Sequence, residues 1–316
     1  MTWIVILGII VVSALKLLIT TMPTPVVKAI KTDTILNTNT FGEFIEDKWS
    51  TPFPQLAITE RPDTVAHQIL KGRIAVVVDR SPGVLIAPMT FPSFFKTVDD
   101  YGIRSIVVSF IRLLRFISFF VAIFTPSLYI ALISFHYETI PLKLLLTIGE
   151  SRETIPFPPI IEVLMMASVF EMIREAAIRI PAPIGQTIGV VGGIIIGQAA
   201  VQAGIVSNIM IIVVSITAIA SFIIPDVEMA TGTRLIRYPM MIMAALFGML
   251  GIVTGMAVLV IHLLSLESFG ISYLSPISPF RISEMRDTFV RFPSQMLKKR
   301  PLSVEPKQLK RQGDKP

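Results

Sequence analysis

The chain has 316 residues, of which 53% are apolar and 16% charged, with a mean hydropathy of +0.72 and a formal net charge of +6. Because the apolar residues come in long uninterrupted runs, this composition argues against a soluble protein and predicts a membrane protein. Cysteine is absent, which excludes a disulfide framework, a thiolate metal site and a thiol nucleophile.

The first apolar run, residues 3–19, has about the minimum length of a membrane span and lacks the basic start and cleavage site of a signal peptide. We interpret residues 1–20 as a hydrophobic N-terminal segment that can act as an anchor. Residues 21–102 mix charged and apolar residues and predict a small cytoplasmic α/β domain. Within it, Ile74–Val78 and Val84–Ala87 are two β-branched runs around a turn with proline and glycine, which is typical of a β-hairpin.

Residues 103–265 are predicted to form the membrane domain. Its first residues carry three arginines among apolar residues and indicate an interfacial start, followed by a span over 116–135. The uncharged stretch 184–224 is twice too long for one crossing and predicts two spans that are joined tightly around Gly204 to Asn208, and 240–264 predicts a last one. The fold class expected is a mainly α-helical polytopic membrane protein with about four to five transmembrane helices and a small α/β segment.

A further helix between prolines, in residues 155–183, is too charged to face lipid along its length. We expect it to be amphipathic or re-entrant. Its charged residues are Glu162, Glu171, Arg174, Glu175 and Arg179. They are interpreted either as a gating ring that attracts ions or as an intrahelical salt-bridge face at the membrane surface.

Small residues recur at every fourth position in the stretch that follows. In lipid such spacing lets helix backbones approach closely, so we predict helix packing, and the alternative is a stripe that lines or flanks a conducting path. The glycines concerned are Gly185, Gly189, Gly193 and Gly197, with Gly248, Gly251 and Gly255 in the last span. Three glutamines in the same stretch, Gln186, Gln198 and Gln202, need polar partners in lipid, so they either bond across an interface between subunits or line a pore.

The C-terminal residues 266–316 are predicted to be a basic cytoplasmic tail. Residues 281–316 hold ten Lys or Arg against four Asp or Glu. With little aromatic interleaving and a membrane segment before them, they favour contact with anionic lipid over nucleic acid. The three histidines share no ligand spacing and no catalytic motif is present, so we expect no metal site, no cofactor and no enzyme activity.

Several stretches resemble a known family. They are TPFPQLAITERPDTVAHQILKGRIAVVVDRSPGVLIAPMTF, EMIREAAIRIPAPIGQTIGVVGGIIIGQAAVQAGIVS and IHLLSLESFGISYLSP, and over about residues 28–300 the chain is similar to the A subunits of the GerA family of spore germination receptors. The resemblance implies a protein of the inner spore membrane that assembles with an integral B subunit and a lipoprotein C subunit. It also implies self-association into a ring that acts as a ligand-gated ion channel, with the helix of Glu162 and Glu171 near the pore.

The first residues depart from the family pattern. The family's A subunits have a larger N-terminal cytoplasmic domain, of which residues 21–102 resemble only the second half, so the resemblance indicates an N-terminally truncated member. The sister SpoVAF type shares the motifs and stays an alternative. Two other functions remain open at this point: a non-conducting membrane scaffold for partner subunits, and a secondary transporter.

Overall fold

A computed structural model describes residues 37–79, 81–181, 192, 193, 195–297, 300 and 301. The chain divides into two compact units, one made of residues 1–113 and 262–316 and the other of residues 114–261. The predicted anchor at residues 1–20, together with Gly185, Gln186 and Gly189, lies outside the described residues.

The first unit contains a three-stranded antiparallel sheet. Its strands are β1 (Ala57–Thr59), β2 (Ile74–Val77) and β3 (Val84–Ala87), in the order β1-β3-β2. Strand β2 pairs with β3 from Ile74 opposite Ala87 to Val77 opposite Val84, which confirms the predicted hairpin. The central strand β3 buries Leu85, because strands on both sides shield it.

Two helices complete this part of the first unit. Helix α1 (Thr38–Ile45) begins at Asn37, whose side-chain oxygen accepts a hydrogen bond from the Thr40 N–H at 2.8 Å. Such a cap satisfies one of the free N–H groups at a helix start. Helix α2 (Pro62–Leu70) begins with proline, whose missing N–H costs nothing at that position. Apolar side chains of α1 pack on β3 in a small buried core.

Residues after the last long helix belong to the same unit. They form the short strands β4 (Glu267–Ser268) and β5 (Ile271–Ser272) and the helix α8 (Ile282–Met285). The buried Ser268 hydroxyl donates to the Gln55 carbonyl at 2.9 Å and accepts from the Met89 N–H at 3.2 Å. The segment that directly follows residue 266 therefore contributes to the core of the first unit.

Short 3₁₀ turns occur at Phe91–Phe95, Asp99–Tyr101, Tyr137–Thr139 and Ser294–Met296.

Helices make up the second unit, and two of them begin or end in the first. These helices are α3 (Ser105–Phe135), α4 (Leu142–Arg152), α5 (Pro159–Arg179), α6 (Asn208–Ile223) and α7 (Val227–Ser265). Residues 195–202 are also helical, and a turn with Gly204 at φ +64° precedes α6, where we predicted a tight connection. The predicted interfacial start and the span over 116–135 are one continuous helix, α3.

Two helices of the described residues, α3 and α7, are long and apolar enough to cross a membrane, and α6 is a shorter apolar helix. These two helices are consistent with the membrane protein that the composition predicted. The expected four to five spans are not confirmed, because α6 has 16 residues and the described residues supply no other apolar helix of sufficient length.

Helix α7 is interrupted at Gly248, whose φ of +59° and ψ of −134° are not helical. A Cβ atom at Gly251 would overlap the Met243 carbonyl oxygen, and one at Gly255 would lie 2.6 Å from Met240 Sδ. Residues on either side of Gly248 therefore contact each other, so the predicted span 240–264 is not a straight helix. Only glycine adopts the backbone of residue 248 at low cost.

We expect Gly251→Ala to destabilise the protein by about 1–3 kcal/mol, because the added methyl group has no room beside Met243. The control is Gly149→Ala in α4, where nothing lies within 4 Å of the new Cβ atom. That substitution should stabilise by up to about 1 kcal/mol through helix propensity. Thermal unfolding in detergent, followed by circular dichroism, measures both; a Gly251→Ala protein as stable as the control would contradict the contact across Gly248.

Candidate functional site

The proline-bracketed helix α5 carries the charged residues of the candidate site. It starts after Pro158 with Pro159 in its first turn and ends at Arg179, two residues before Pro181. Proline ends helices because it lacks the N–H and clashes with the preceding turn. Prolines therefore bound this charged helix of 21 residues at both ends.

Glu162, in the first turn of α5, is fully buried. Its Oε1 lies 2.6 Å from Arg152 Nη1 at the end of α4. Its Oε2 accepts hydrogen bonds from the N–H and the hydroxyl of Ser207 at 3.2 and 3.3 Å. Tyr129 of α3 joins the same group, since its hydroxyl accepts from Arg152 Nη1 and lies 3.2 Å from Ser207 Oγ. We call these four residues the Glu162 cluster.

The environment of Glu162 suits a charged carboxylate. Ser207 is the N-cap of α6, so the carboxylate lies at the positive end of that helix. Arg152 supplies the opposite charge, and such buried pairs hold only when both partners are also hydrogen bonded. Glu162 is therefore paired with Arg152 within one chain and has no exposed surface for an ion.

A second group of charges lies near the middle of α5 and is partly accessible. Glu171 pairs with Arg174 at 3.3 Å and with Arg234 of α7 at 3.6 Å, and 28% of its side chain is exposed. Arg174 also donates to Ser221 Oγ of α6 at 3.2 Å and lies 4.5 Å from the centre of the Phe222 ring. We call these residues the Glu171 cluster. It joins α5, α6 and α7 and leaves one carboxylate in contact with the outside of the unit.

Glu175 and Arg179 form the third pair, at 2.6 Å and one helical turn apart. Their side chains are 61% and 76% exposed. An exposed pair of this kind contributes about 0.3–0.5 kcal/mol. The structure therefore gives Glu162, Glu171 and Glu175 three different surroundings.

Arg237 of α7 is buried and compensates for a break in α3. Pro126 has no N–H, so the Ala122 carbonyl one turn earlier loses its helical partner. Arg237 Nε donates to that carbonyl at 3.0 Å. In an apolar medium each unsatisfied backbone group costs several kcal/mol, and a neighbouring helix often replaces the lost bond. Arg237 thus connects α7 to α3 one turn before Pro126.

The other predicted residues lie apart from these clusters. Gln198 and Gln202 are exposed, on the helical residues that precede α6. A Cβ atom at Gly193 would lie 4.0 Å from Phe170 of α5, and one at Gly197 3.8 Å from Ile211 of α6, both ordinary contact distances. Among the described residues no group of three or more His, Asp or Glu is placed to hold a metal ion.

Sequence reasoning missed Tyr129, Arg152, Ser207 and Arg237 as members of these clusters. Arg152 precedes Glu162 by ten residues across a proline-rich link, and Ser207 follows it by 45 residues, so no helical spacing relates them. One signal was present for Arg237: a proline inside an apolar helix requires a donor from elsewhere in the chain.

Comparison with known proteins identifies relatives over most of the chain. Residues 18–303 match the model of the Bacillus/Clostridium GerA spore germination protein family. The chain is 48% identical over 275 residues to the uncharacterized membrane protein YfkQ of Bacillus subtilis, covering 87% of this chain and 54% of that protein. It is 45% identical over 281 residues to spore germination protein KA of the same organism, covering 89% and 52%.

Spore germination protein A1 of Bacillus subtilis is 44% identical over 277 residues, covering 88% of this chain and 57% of that protein. The chain therefore spans about half the length of the curated relatives it matches. No solved structure is significantly similar to it.

We expect Glu162→Gln to destabilise the second unit by about 3 kcal/mol, because Arg152 is left buried without its counter-charge. The matched control is Glu175→Gln on the same helix, where the exposed pair should change stability by less than about 1 kcal/mol. Thermal unfolding in detergent compares the two. Equal midpoints would show that the Arg152–Glu162 pair does not support the fold.

A second pair of substitutions tests the bond at the proline. Arg237→Leu should destabilise by about 1–3 kcal/mol, since it leaves the Ala122 carbonyl unsatisfied. In a Pro126→Ala background residue 126 can donate to that carbonyl, so the same substitution should cost clearly less. Additive effects in this double-mutant cycle would rule out the compensation.

Proposed function

The chain belongs to the Bacillus/Clostridium GerA family of spore germination proteins, and from this membership we propose that it is an A-type subunit of a nutrient germinant receptor. The family match over residues 18–303 is the observation that carries the proposal. The protein would lie in the inner spore membrane as a multi-pass protein with its C-terminal tail in the cytoplasm. It would assemble with an integral B subunit and a lipoprotein C subunit. No catalytic role is proposed.

Apolar surfaces of the second unit support a membrane location and assembly. Helix α6 exposes Ile212, Ile219 and Phe222, with 57%, 61% and 68% of each residue accessible. Large exposed apolar residues mark lipid contacts or subunit contacts. Either environment would bury this face of α6, and self-association into a ring would use part of it.

An ion path is the specific activity that we propose for the ring. Polar side chains in the membrane are costly and usually mark an ion path or an inter-subunit contact. Glu171 and Glu175 of α5 and the amides of Gln198 and Gln202 are partly or fully exposed in the single chain. Glu162 lacks this exposure. We therefore propose that it holds the start of α5 in position and does not contact the ion.

Conductance of planar bilayers containing the purified chain tests the ion path, with a parallel preparation in which the N-terminal region of a longer relative is fused to the chain. Glu171→Gln should reduce cation current several-fold, because it removes one negative charge per subunit from the proposed path. The control is Glu150→Gln in α4, an exposed carboxylate outside α5, and its current should equal that of the unchanged protein.

Equal currents from both variants would exclude Glu171 from the path. Silence from both preparations in oligomers of confirmed size would favour a membrane scaffold for partner subunits. Coupled uptake of a solute without channel current would instead indicate a secondary transporter.

A further inference from the structure

The loop that follows α1 contacts the last turn of α7. Lys48 Nζ donates to the Ser265 carbonyl at 3.2 Å. Three residues later in the loop, Thr51 Oγ1 lies 2.9 Å from His262 Nε2. The last carbonyls of a helix have no partner within it, so the lysine satisfies one of them and places a positive charge at the negative end of the helix. The loop is therefore attached to the end of α7 at two points.

Trp49 lies between these two points and is exposed. The residue is 82% accessible, although the loop that carries it is fixed. The Lys48 carbonyl accepts a hydrogen bond from Nε2 of the buried Gln55 at 2.8 Å. Single exposed apolar residues are ordinary on protein surfaces. This one differs, because the bonds on both sides of it hold a large aromatic ring outward beside the end of a long apolar helix.

The position of α7 gives the environment of that ring. Helix α7 is one of the two described helices that are long and apolar enough to cross a membrane. Leu264, one residue before its end, is still 47% exposed. Since an exposed leucine of a spanning helix faces lipid, the hydrocarbon boundary lies at about the level of Ser265. Trp49 is then at the layer between hydrocarbon and headgroups, where tryptophan is enriched in membrane proteins.

Charge decides which property of the bilayer the loop can use. Residues 43–48 contain three carboxylates and one lysine. One carboxylate, that of Asp47, accepts from the Phe269 N–H at 2.7 Å. An acidic segment gains nothing from anionic headgroups, whose attraction is for clusters of basic residues. The attraction comes from the indole, because its apolar body favours hydrocarbon while its N–H favours the hydrated layer.

We propose that Trp49 inserts into the interfacial layer of the bilayer that α7 crosses and so holds the first unit on the membrane surface. Lys48 supports this contact by fixing the loop to the end of the helix. The contact requires that α7 crosses a membrane. It is independent of the role in germination.

Tryptophan fluorescence tests the contact, because the chain has only two tryptophans, Trp3 and Trp49. Trp3→Phe leaves Trp49 as the single tryptophan of the full chain, which is reconstituted in phosphatidylcholine vesicles. Lipids that carry bromine close to the headgroup should remove most of its emission. Lipids brominated near the centre of the bilayer should remove much less, since an interfacial ring does not reach that depth.

Two controls place the single tryptophan elsewhere, in chains that also carry Trp49→Phe. Val253 of α7 is 58% exposed. It lies about 18 Å along the helix from Ser265, near the middle of the hydrocarbon. Val253→Trp should therefore be quenched best by lipid brominated near the bilayer centre.

The second control lies in the first unit, away from the loop. Val77 is 47% exposed and is paired with Val84 at the turn of the β2–β3 hairpin. The neighbouring Gly83 carbonyl accepts from Thr38 Oγ1 at 2.8 Å, at the opposite end of α1 from Trp49. Val77→Trp should therefore be quenched by neither lipid.

Three results would overturn the contact. Unquenched Trp49 beside a quenched Val253→Trp would show that α7 crosses the membrane without this anchor. Absence of quenching in both would show that α7 does not cross, and the anchor fails with it. Equal quenching of Val77→Trp and Trp49 would show that lipid reaches the first unit without selecting the loop.

Discussion

The ion pair between Arg152 and Glu162 organises the second unit. Through Tyr129 and Ser207 it brings the end of α4, the start of α5, the start of α6 and the C-terminal part of α3 to one place. A buried pair is stable only if its geometry satisfies both ions. The positions of these four elements are therefore mutually constrained, and the partly exposed Glu171 cluster lies on a helix whose start cannot shift freely.

Backbone breaks in the two longest apolar helices show a related constraint. Pro126 frees the Ala122 carbonyl of α3, and Arg237 of α7 replaces the missing donor. In α7, Gly248 leaves helical geometry, and a Cβ atom there would lie 3.0 Å from Phe135 and His136 at the end of α3. Both breaks thus occur where another segment packs closely. A break without such a partner would expose polar backbone to an apolar medium.

Local patterns in the sequence predicted the local elements well. The β2–β3 hairpin, the proline-bracketed helix α5 and the turn at Gly204 lie where turn residues and prolines indicated, because these residues restrict the backbone within a few positions. The candidate site was predicted only as a set of charges on one helix. Their different roles depend on residues far along the chain: Ser207 beside Glu162, and Arg234 beside Glu171.

The sequence by itself determined the membrane character, the position of the charged helix and the family. These follow from composition, proline placement and motifs that are contiguous in the chain. Only the tertiary structure decided that Glu162 is enclosed while Glu171 and Glu175 are accessible, and that α7 is interrupted at Gly248. Burial and charge balance are sums over neighbours from several segments, and sequence order does not specify which segments become neighbours.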